Sequence, residues 1–554
     1  MKNSQPLFII LLAASLCVSL ARCRGPESRI EPIAPQELEA HIRFLSDDLL
    51  EGRGVGTRGH EIAVLYQEEY FRTFGLEPLF DGGFRQVFGL RGIRPDPAAS
   101  MEISSGKVLI SPRIFEDFVI QSERDDLPDE IAAELVYGGY LIQAPERNWD
   151  DVKRSDLKGK VILAEINEPG NYPGGIFDGE EMNYYGRWTY KFEKAAELGA
   201  AGILIVHNDR GAAYGWDVVR NSWSGESFSH SEKRPSLFFQ GWIHESLAKK
   251  IFQSVHMDRR EILAGAERPD FSPVPLGLEI KVRQKPAFRN VAAANVAALL
   301  RSRSDEPGER SIIISAHFDH LGRNEALKGD QIYNGAVDNC SAMAAMLALA
   351  GYYAQKPRDL NVNLIFAGVT AEEHGLLGSD YLVRHLGIPN SSILANINFE
   401  TTNVWGETAD VFGIGAGYSD MDDICREAAG RLGLEYTPDR LARLGYFFRS
   451  DQLSFAKAGI PCVWLHEGIV SRGPDPGFVK RRFDEYLQFK YHQVTDEMEP
   501  GWDLRGTVQI IRWAQEIIAV LASRKEIPQF KPASPFGRPA GADVLSQSGV
   551  PAAE

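Results

Sequence analysis

The chain is poor in cysteine. It has five cysteines in 554 residues, and only Cys340, Cys425 and Cys462 lie well beyond the N-terminal region. Small secreted domains that depend on disulfides use cysteine far more densely, so a disulfide scaffold is excluded. We expect these three thiols to be buried and unpaired, while a single disulfide remains an alternative in an oxidising compartment.

Positive charge is scarce relative to negative charge. The chain has 60 Lys and Arg residues against 76 Asp and Glu residues, which gives a formal net charge of -16. Such a surface repels phosphate backbones and anionic lipids, so we predict no nucleic-acid partner. With 44% hydrophobic and 25% charged residues, the composition is that of a folded globular protein. Its length predicts at least two folding units, since single cores rarely exceed about 250 to 300 residues.

The sequence offers no membrane-spanning segment. Residues 6–21 are almost uninterruptedly apolar, but this run is too short and wrongly flanked for a stable span. Following Lys2, it predicts a signal peptide over residues 1–24 and therefore an exported protein, either periplasmic or secreted. A lipid anchor on Cys23 is the disfavoured alternative, because Arg22 stands where a lipid-attachment motif needs a small residue.

Residue patterning divides the rest of the chain into four segments. Residues 33–127 form the N-terminal part of the main domain, and residues 128–273 carry short β-type runs separated by Gly, Pro and Asn. The second segment therefore predicts an inserted β-rich domain. Residues 274–525 predict the main catalytic domain, and the Pro, Ala, Gly and Ser in residues 526–554 predict a disordered tail.

The main segment alternates between strand and helix patterns. Because such alternation is typical of α/β proteins, it predicts a doubly wound, mostly parallel sheet with helices on both faces. Strands are predicted at residues 311–316, 362–367, 393–399 and 461–466, and helices at residues 341–355, 376–385 and 508–523.

Several side chains that can bind a metal or transfer a proton lie where the predicted strands end. More of them lie near the end of the segment. Ligands bind at the carboxyl ends of strands in open α/β sheets, so we expect these residues to meet. Carboxylates gathered at one edge repel one another unless a cation neutralises them. Histidines and carboxylates without a thiolate fit Zn²⁺, and the carboxylates suffice for two ions sharing a bridge. The residues are His317, Asp319, His320, Asp338, Glu372, Glu373, Glu400, Tyr491, His492 and Asp496.

Six motifs along this segment resemble the M28 family of di-zinc peptidases. The resemblance covers residues 290–513 and rests on "AHFDHLG", "NGAVDNCSA", "FAGVTAEEHGLLGS", "NINFET", "RSDQLSFAKAGIPCVWL" and "YHQVTDE". It implies two Zn²⁺ ions per chain. In the implied ligand set, His317 and Glu400 bind one zinc and Glu373 and His492 the other. Asp338 bridges both.

The same resemblance assigns roles to further residues. Glu372 would be the general base, and Tyr491 resembles a tyrosine that donates a hydrogen bond to the developing oxyanion. A packed aromatic is the other interpretation of Tyr491. Asp319 and Asp496 suit carboxylates that orient the histidine ligands. Glu400 stands where the family commonly has Asp, so its extra methylene has to be accommodated.

The predicted insert resembles a protease-associated domain. The resemblance rests on "LVYGGY", "DLKGKVILAEI" and "FEKAAELGAAGILIVHND". It implies a substrate-access lid or an interaction surface, and a plain spacer is equally compatible with these residues. In the N-terminal segment, Arg53 and Arg58 lie in a glycine-rich loop where we expect them to be solvated.

The resemblance and the predicted signal peptide together imply an exported di-zinc exopeptidase that hydrolyses peptide substrates, with an aminopeptidase preferred. Two alternatives stay open. A carboxypeptidase that acts on acidic dipeptides would need cations for the terminal carboxylate, for which Arg443 and Arg449 are candidates. A non-catalytic binding protein could also retain the peptidase scaffold. Glutaminyl cyclisation uses one zinc and is disfavoured by the two-metal ligand set. The oligomeric state remains open.

Overall fold

The computed structural model describes residues 33–537, apart from residues 107, 154, 173–174, 178, 213, 233, 303–309 and 356–359. The predicted signal peptide and Cys23 lie outside these residues. Within the described part of the chain, no helix is long and apolar enough to cross a membrane.

The N-terminal segment begins with two helices that pack on the main sheet. Apolar residues at helical spacing give each helix one buried face, which includes Leu38 and Ile42 in the first and Val64 and Phe71 in the second. The elements are α1 (Pro35–Leu45), α2 (Arg58–Thr73), β1 (Glu77–Pro78) and β2 (Arg85–Arg94).

The next segment is rich in short strands. Its elements are β3 (Ser100–Ser105), β4 (Val108–Ile110), β5 (Phe118–Gln121), β6 (Ile131–Tyr137), β7 (Gln143–Ala144), β8 (Trp149–Asp150), β9 (Val161–Glu165), α3 (Trp188–Glu197), β10 (Gly202–His207), α4 (Asp209–Ala212), α5 (Trp216–Ser224), β11 (Ser227–His230), β12 (Phe239–His244), α6 (Glu245–Ser254), α7 (Arg259–Ala266) and β13 (Val274–Arg283).

The last segment alternates strands with helices. Its elements are β14 (Ala287–Leu300), β15 (Ser311–His317), β16 (Gly322–Arg323), β17 (Ile332–Tyr333), α8 (Ala342–Gln355), β18 (Asn363–Val369), α9 (Leu377–Arg384), β19 (Ile393–Asn398), β20 (Asp410–Ile414), α10 (Met421–Arg431), β21 (Glu435–Tyr436), α11 (Gln452–Lys457), β22 (Cys462–Glu467), α12 (Phe478–Phe489) and α13 (Arg505–Ser523). Every strand and helix predicted for this segment is present, with ends shifted by a few residues.

The main sheet is mixed, so the prediction of a mostly parallel sheet is wrong. Its ten strands follow the order β11-β2-β14-β18-β15-β19-β22-β20-β21, and β1 pairs with β14. The central strands β18, β15, β19 and β22 are parallel to one another. On either side, β14 and β20 run antiparallel to their central neighbours. The alternation of strand and helix patterns indicated the central crossovers but not the direction of the strands added outside them.

Helices cover both faces of this sheet, as predicted. Successive residues of a strand point to opposite faces, and in β15 Ile312 and Ile314 pack in one core while Ile313 packs in the other. The first core also holds α8, whose sequence is apolar on all sides and which is almost completely buried. The second core holds residues of α9 and α11.

A second sheet of eight strands is built from the β-rich segment. Its order is β4-β3-β13-β6-β9-β10-β12-β5, with both parallel and antiparallel pairs. These strands span residues 100–283, a wider range than the predicted insert at residues 128–273. In addition, β11 lies within that range but pairs with β2 of the main sheet. The identity of this segment as a protease-associated domain stays a prediction.

Cysteines and the C-terminal segment complete the fold. Cys340, Cys425 and Cys462 are buried and free, in agreement with the low cysteine content.

Residues 526–537 were predicted to be disordered, but this part packs against the main domain. Phe536 is only 5% exposed, and Phe530 forms a β-bridge with Ser419. The two aromatic side chains find apolar neighbours there, which outweighs the polar composition around them. Residues 538–554 lie outside the described part.

Candidate metal centre

The predicted ligands lie at one edge of the main sheet. His317 ends β15, Glu372 and Glu373 follow β18, and Glu400 follows β19. Because these three strands are parallel, their carboxyl ends meet at the same edge. Asp338 comes from the turn before α8, and His492 follows α12.

One group of ligands forms around His317. Its Nε2 atom lies 3.2 Å from Oε1 of Glu400 and 3.4 Å from Oδ1 of Asp338. One ligand atom from each of the three residues lies within 4.8 Å of the others, so they are close enough to share one cation. All three residues are buried.

A second group forms around the other oxygen of Asp338. His492 Nε2 lies 3.2 Å from Oδ2 of Asp338 and 3.2 Å from Oε2 of Glu373. The two oxygens of Asp338 therefore face two different histidines, which is the arrangement that a bridging carboxylate requires. The structure brings all five predicted ligands together, and their role as ligands stays a prediction.

His320 also belongs to this second group, although the resemblance assigned it no role. Glu373 Oε1 accepts a hydrogen bond of 2.6 Å from Nδ1 of His320. His320, Asp338 and Glu373 form a further set whose ligand atoms lie within 4.8 Å of one another. His320 is fully buried, whereas the His492 side chain is 35% exposed. In the sequence, the role of His320 was indicated only by its position three residues after His317.

The hydrogen bonding of His317 indicates whether a cation fits between this histidine and the neighbouring carboxylates. Its Nδ1 donates to the backbone carbonyl of Asp319 at 3.1 Å, so the neutral ring carries a lone pair on Nε2. That lone pair faces the carboxylates of Asp338 and Glu400. Acceptors facing one another in this way require a proton or a cation between them. Imidazole nitrogen with carboxylate oxygens is a donor set that suits zinc, so the residues present fit that ion.

The charge of the whole cluster supports the same conclusion. The buried carboxylates outnumber the imidazoles, and buried like charges repel strongly unless a cation compensates them. Sequence reasoning missed Asp451, which is fully buried. Burial raises the pKa of Asp451 to about 7, and the negative charges of Glu400 and Glu373 add to this rise. The carboxylates of the cluster are Asp319, Asp338, Glu372, Glu373, Glu400, Asp451 and Asp496.

Glu372 lies beside the first group without being part of it. Its Oε2 is 4.0 Å from Nε2 of His317, and its backbone N–H donates to Oδ1 of Asp319 at 3.2 Å. Burial raises the pKa of Glu372 well above its ordinary value, against the attraction of His317, and the nearby Glu400 carboxylate raises it further. A carboxylate with a raised proton affinity beside the ligands is suited to accept a proton.

The carboxylates of Asp319 and Asp496, which we expected to orient the histidines, make other contacts. Asp496 accepts hydrogen bonds of 3.0 Å from the backbone N–H groups of Val337 and Asp338, and so orients Asp338 rather than His492. His317 is oriented by the backbone carbonyl of Asp319, whose carboxylate lies 3.8 Å from the ring. Neighbourhood in sequence did not reveal which atom makes each contact.

Glu400 is held at both ends despite its extra methylene. Ser450 Oγ donates to Oε2 of Glu400 at 2.7 Å, which leaves Oε1 for His317. Trp464 Nε1 donates to the backbone carbonyl of Glu400 at 3.0 Å. These bonds orient the longer side chain toward His317.

Tyr491 lies at the rim of the cluster. It is 39% exposed, and its ring stacks on the ring of His492 with centroids 4.0 Å apart. This position is compatible with a hydroxyl that reaches a bound substrate, and it is also compatible with simple ring packing. The role of Tyr491 as a hydrogen-bond donor stays a prediction.

Arg53 is buried and holds loops of the site in place, contrary to the expectation that it is solvated. It is only 1% exposed, and it donates to the backbone carbonyls of Phe318, Leu45 and Asn334 at 2.6 to 2.7 Å. These carbonyls belong to α1, to the residue after His317 and to the loop before Asp338. Arg53 therefore joins two ligand-bearing loops to the N-terminal helix.

Replacing Arg53 with Met should lower the free energy of unfolding by several kcal/mol. Each buried carbonyl left without a donor costs about 1 to 3 kcal/mol. Denaturant unfolding measures this change. Arg58→Met, at the start of α2, is the matched control and should have little effect. Equal stability of the two variants would contradict the supporting role of Arg53.

With this geometry in place, the chain can be compared with known proteins. Residues 295–514 match the sequence model of a protein family, which is described as Peptidase family M28. This segment contains every predicted metal ligand, as well as Glu372 and Tyr491. The resemblance of the six motifs to that family is thereby confirmed for the matched residues, which are fewer than half of the chain.

Solved structures of bacterial peptidases are similar over a longer range. An aminopeptidase from Aneurinibacillus sp. strain AM-1 is 17% identical, with 89% of this chain and 94% of that chain covered and a TM-score of 0.48. The zinc aminopeptidase BSAP from Bacillus subtilis is 18% identical, with the same coverage and a TM-score of 0.38. A Peptidase M28 precursor from Shewanella amazonensis SB2B is 15% identical, covers 89% and 97%, and has a TM-score of 0.39.

Proposed function

We propose that this protein is an exported di-zinc exopeptidase, and specifically an aminopeptidase that releases N-terminal residues from peptides. The observation that carries the proposal is the pair of imidazole and carboxylate groups that share Asp338, with Glu372 beside them. The match of residues 295–514 to Peptidase family M28 supports a metallopeptidase.

The chain's own residues supply most of the mechanism. His317 and Glu400 would hold one zinc ion, Glu373 and His492 the other, and Asp338 would contact both. His320 donates a hydrogen bond to Glu373 beside the second position. When bound, the ions would polarise the peptide carbonyl and lower the pKa of the attacking water. Glu372 accepts the proton of that water and returns it to the leaving amine. Tyr491 donates a hydrogen bond to the carbonyl oxygen as negative charge develops there.

Preference for a free amino terminus follows from the charge of the cluster. The seven carboxylates of the cluster exceed the four positive charges of two zinc ions, so a substrate ammonium group placed beside them is attracted. A blocked amino terminus lacks that charge and adds bulk. The aminopeptidase proposal therefore predicts that the amine itself is recognised.

We expect hydrolysis of free-amine aminoacyl chromogenic substrates, with N-acetylated analogues cleaved at least about 100-fold less efficiently, as befits the loss of a buried charged contact. The measurement is kcat/KM for matched pairs. A chelator should abolish the activity, and added zinc should restore it. Cleavage of only the blocked substrates would overturn the aminopeptidase assignment.

The structure removes one of the two cations on which the carboxypeptidase alternative depends. Arg443, one of its two candidate cations, pairs with Glu180 at 3.1 Å and has a side chain that is 66% exposed. Arg449 remains as a candidate. The binding-protein alternative predicts that purified protein contains no zinc and hydrolyses no peptide, so elemental analysis of the mature chain distinguishes it from both peptidase functions.

A further inference from the structure

Two arginines, Arg187 and Arg449, come from distant parts of the chain whose segments pack against each other. Arg187 immediately precedes α3 of the β-rich segment, and Arg449 ends a short 3₁₀ helix, Tyr446–Arg449, of the main domain. Their segments are in direct contact. Arg443 pairs with Glu180, and a Cβ atom on Gly445 would lie 3.0 Å from the sulfur of Met182.

Neither guanidinium has an anionic partner among the described residues. Arg187 is only 9% exposed, and its Nη1 donates to the sulfur of Met182 at 3.9 Å. The Nε atoms of Arg187 and Arg449 are buried without a hydrogen-bond partner. By contrast, Arg53, which is also buried, is satisfied by backbone carbonyls. A buried guanidinium without acceptors is costly, so an anion placed here would be bound strongly.

Electrostatics agree with this geometry. Burial lowers the pKa of Arg187 to about 10, and the positive charge of Arg449 lowers it further. Both arginines also lower the pKa of Tyr214, against the larger effect of its burial, which places that hydroxyl near the pair. The two cations thus repel each other in the free protein, and a carboxylate between them would relieve that repulsion.

Arg449 is connected through its neighbours to Glu400, one of the proposed zinc ligands. Ser450, the residue after Arg449, donates to Glu400 at 2.7 Å. The guanidinium of Arg449 lies over the ring of Tyr446, 5.4 Å from its centroid, and that ring packs against Trp464 at 5.8 Å. Trp464 in turn donates to the backbone of Glu400. Because Arg449 is linked to Glu400 in these two ways, we expect a short peptide held at the metal centre to extend toward the arginines.

We propose that Arg187 and Arg449 form a subsite for a carboxylate of the peptide substrate, so that preferred substrates carry a negative charge close to the scissile bond. The proposal rests on the proposed function and narrows its substrate class. Two guanidinium groups match the planar, two-oxygen geometry of a carboxylate. That carboxylate is either the C-terminus of a short peptide or the side chain of an acidic residue.

Matched substrate pairs distinguish these sources. We would compare Ala-Ala with Ala-Ala amide, Ala-Glu amide with Ala-Gln amide, and Glu-Ala amide with Gln-Ala amide. At least one acidic member should have a kcat/KM about tenfold or more above its neutral partner, as a charge-assisted contact predicts. The pair that shows the preference identifies the source. Ratios near one for all three pairs would overturn the subsite.

Variants connect the preference to the arginines. Arg449→Gln and Arg187→Gln should each reduce the acidic-to-neutral ratio toward one, because a neutral amide cannot attract the carboxylate. Arg443→Gln is the matched control and should leave the ratio unchanged, since its guanidinium already pairs with Glu180. If the buried Arg187 variant does not fold, Arg449→Gln decides by itself. A ratio that survives in the folded variants would refute the proposal.

A binding measurement separates this proposal from the proposed function. Calorimetric titration of the full mature chain with glutarate, and with glutaramide as the uncharged probe, reports on the subsite without turnover. Glutarate should bind the wild type more tightly, and Arg449→Gln should weaken it about tenfold. Arginine-dependent binding without any peptide hydrolysis would refute the peptidase function alone. Zinc-dependent hydrolysis with glutarate binding that is insensitive to Arg449→Gln would refute the subsite alone.

Discussion

Replacing Glu372 with Gln should lower kcat by about 10² to 10⁴-fold, the range that general acid–base catalysis contributes. Gln retains the shape of the side chain but cannot accept a proton from water. Since Glu372 lies 4.0 Å from His317 without belonging to either ligand group, the variant should retain its zinc. Steady-state kinetics on a free-amine substrate, together with elemental analysis of the same preparation, test both statements.

Two controls make this experiment specific. Glu373→Gln should lose zinc as well as activity, because Glu373 contacts both His320 and His492. Glu325→Gln, in the exposed loop before β17, should change neither. Undiminished turnover of Glu372→Gln would eliminate Glu372 as the base. Loss of its zinc would instead make Glu372 part of the ligand set.

Asp338→Asn should remove most of the bound zinc and with it most of the activity. The two oxygens of Asp338 face His317 and His492 at 3.4 and 3.2 Å, so one substitution weakens both ion positions. An amide offers a single, uncharged oxygen in place of a negative bridge. We expect the zinc content to fall from near two per chain to below one.

Loss of the metal should also be visible in stability. A ligand that binds only the folded state adds about 2.7 kcal/mol at a concentration 100 times its Kd. A chelator should therefore lower the Tm of the wild type and leave that of Asp338→Asn almost unchanged. Asp330→Asn, in an exposed loop, should respond to the chelator like the wild type. Two zinc ions in Asp338→Asn would contradict the bridging role.

Local sequence predicted the elements around the site well. The helix pattern at residues 341–355 corresponds to α8, and the strand pattern at residues 393–399 corresponds to β19. Both depend on the spacing of apolar residues, which a short window contains. Three predicted ligands, His317, Glu373 and Glu400, follow predicted strands closely, so their gathering at one sheet edge could be predicted in the same way.

Residues whose role depends on contacts across the chain were not predictable. Arg53 was expected to be solvated, yet its partners Phe318 and Asn334 are far away in sequence. Arg187 and Arg449 likewise belong to two segments that are far apart in the sequence. Local periodicity contains no information on such contacts, because they arise only when elements pack.

The sequence by itself determined the elements of the main sheet, the helices on its two faces and the residues at its carboxyl edge. Only the tertiary structure decided the direction of the outer strands, the direction in which each oxygen of Asp338 points and the placement of Arg187 beside Arg449. The reason is physical. Hydrophobic periodicity acts over a few residues, whereas strand pairing, buried charge and hydrogen-bond partners depend on groups that folding brings together from distant positions.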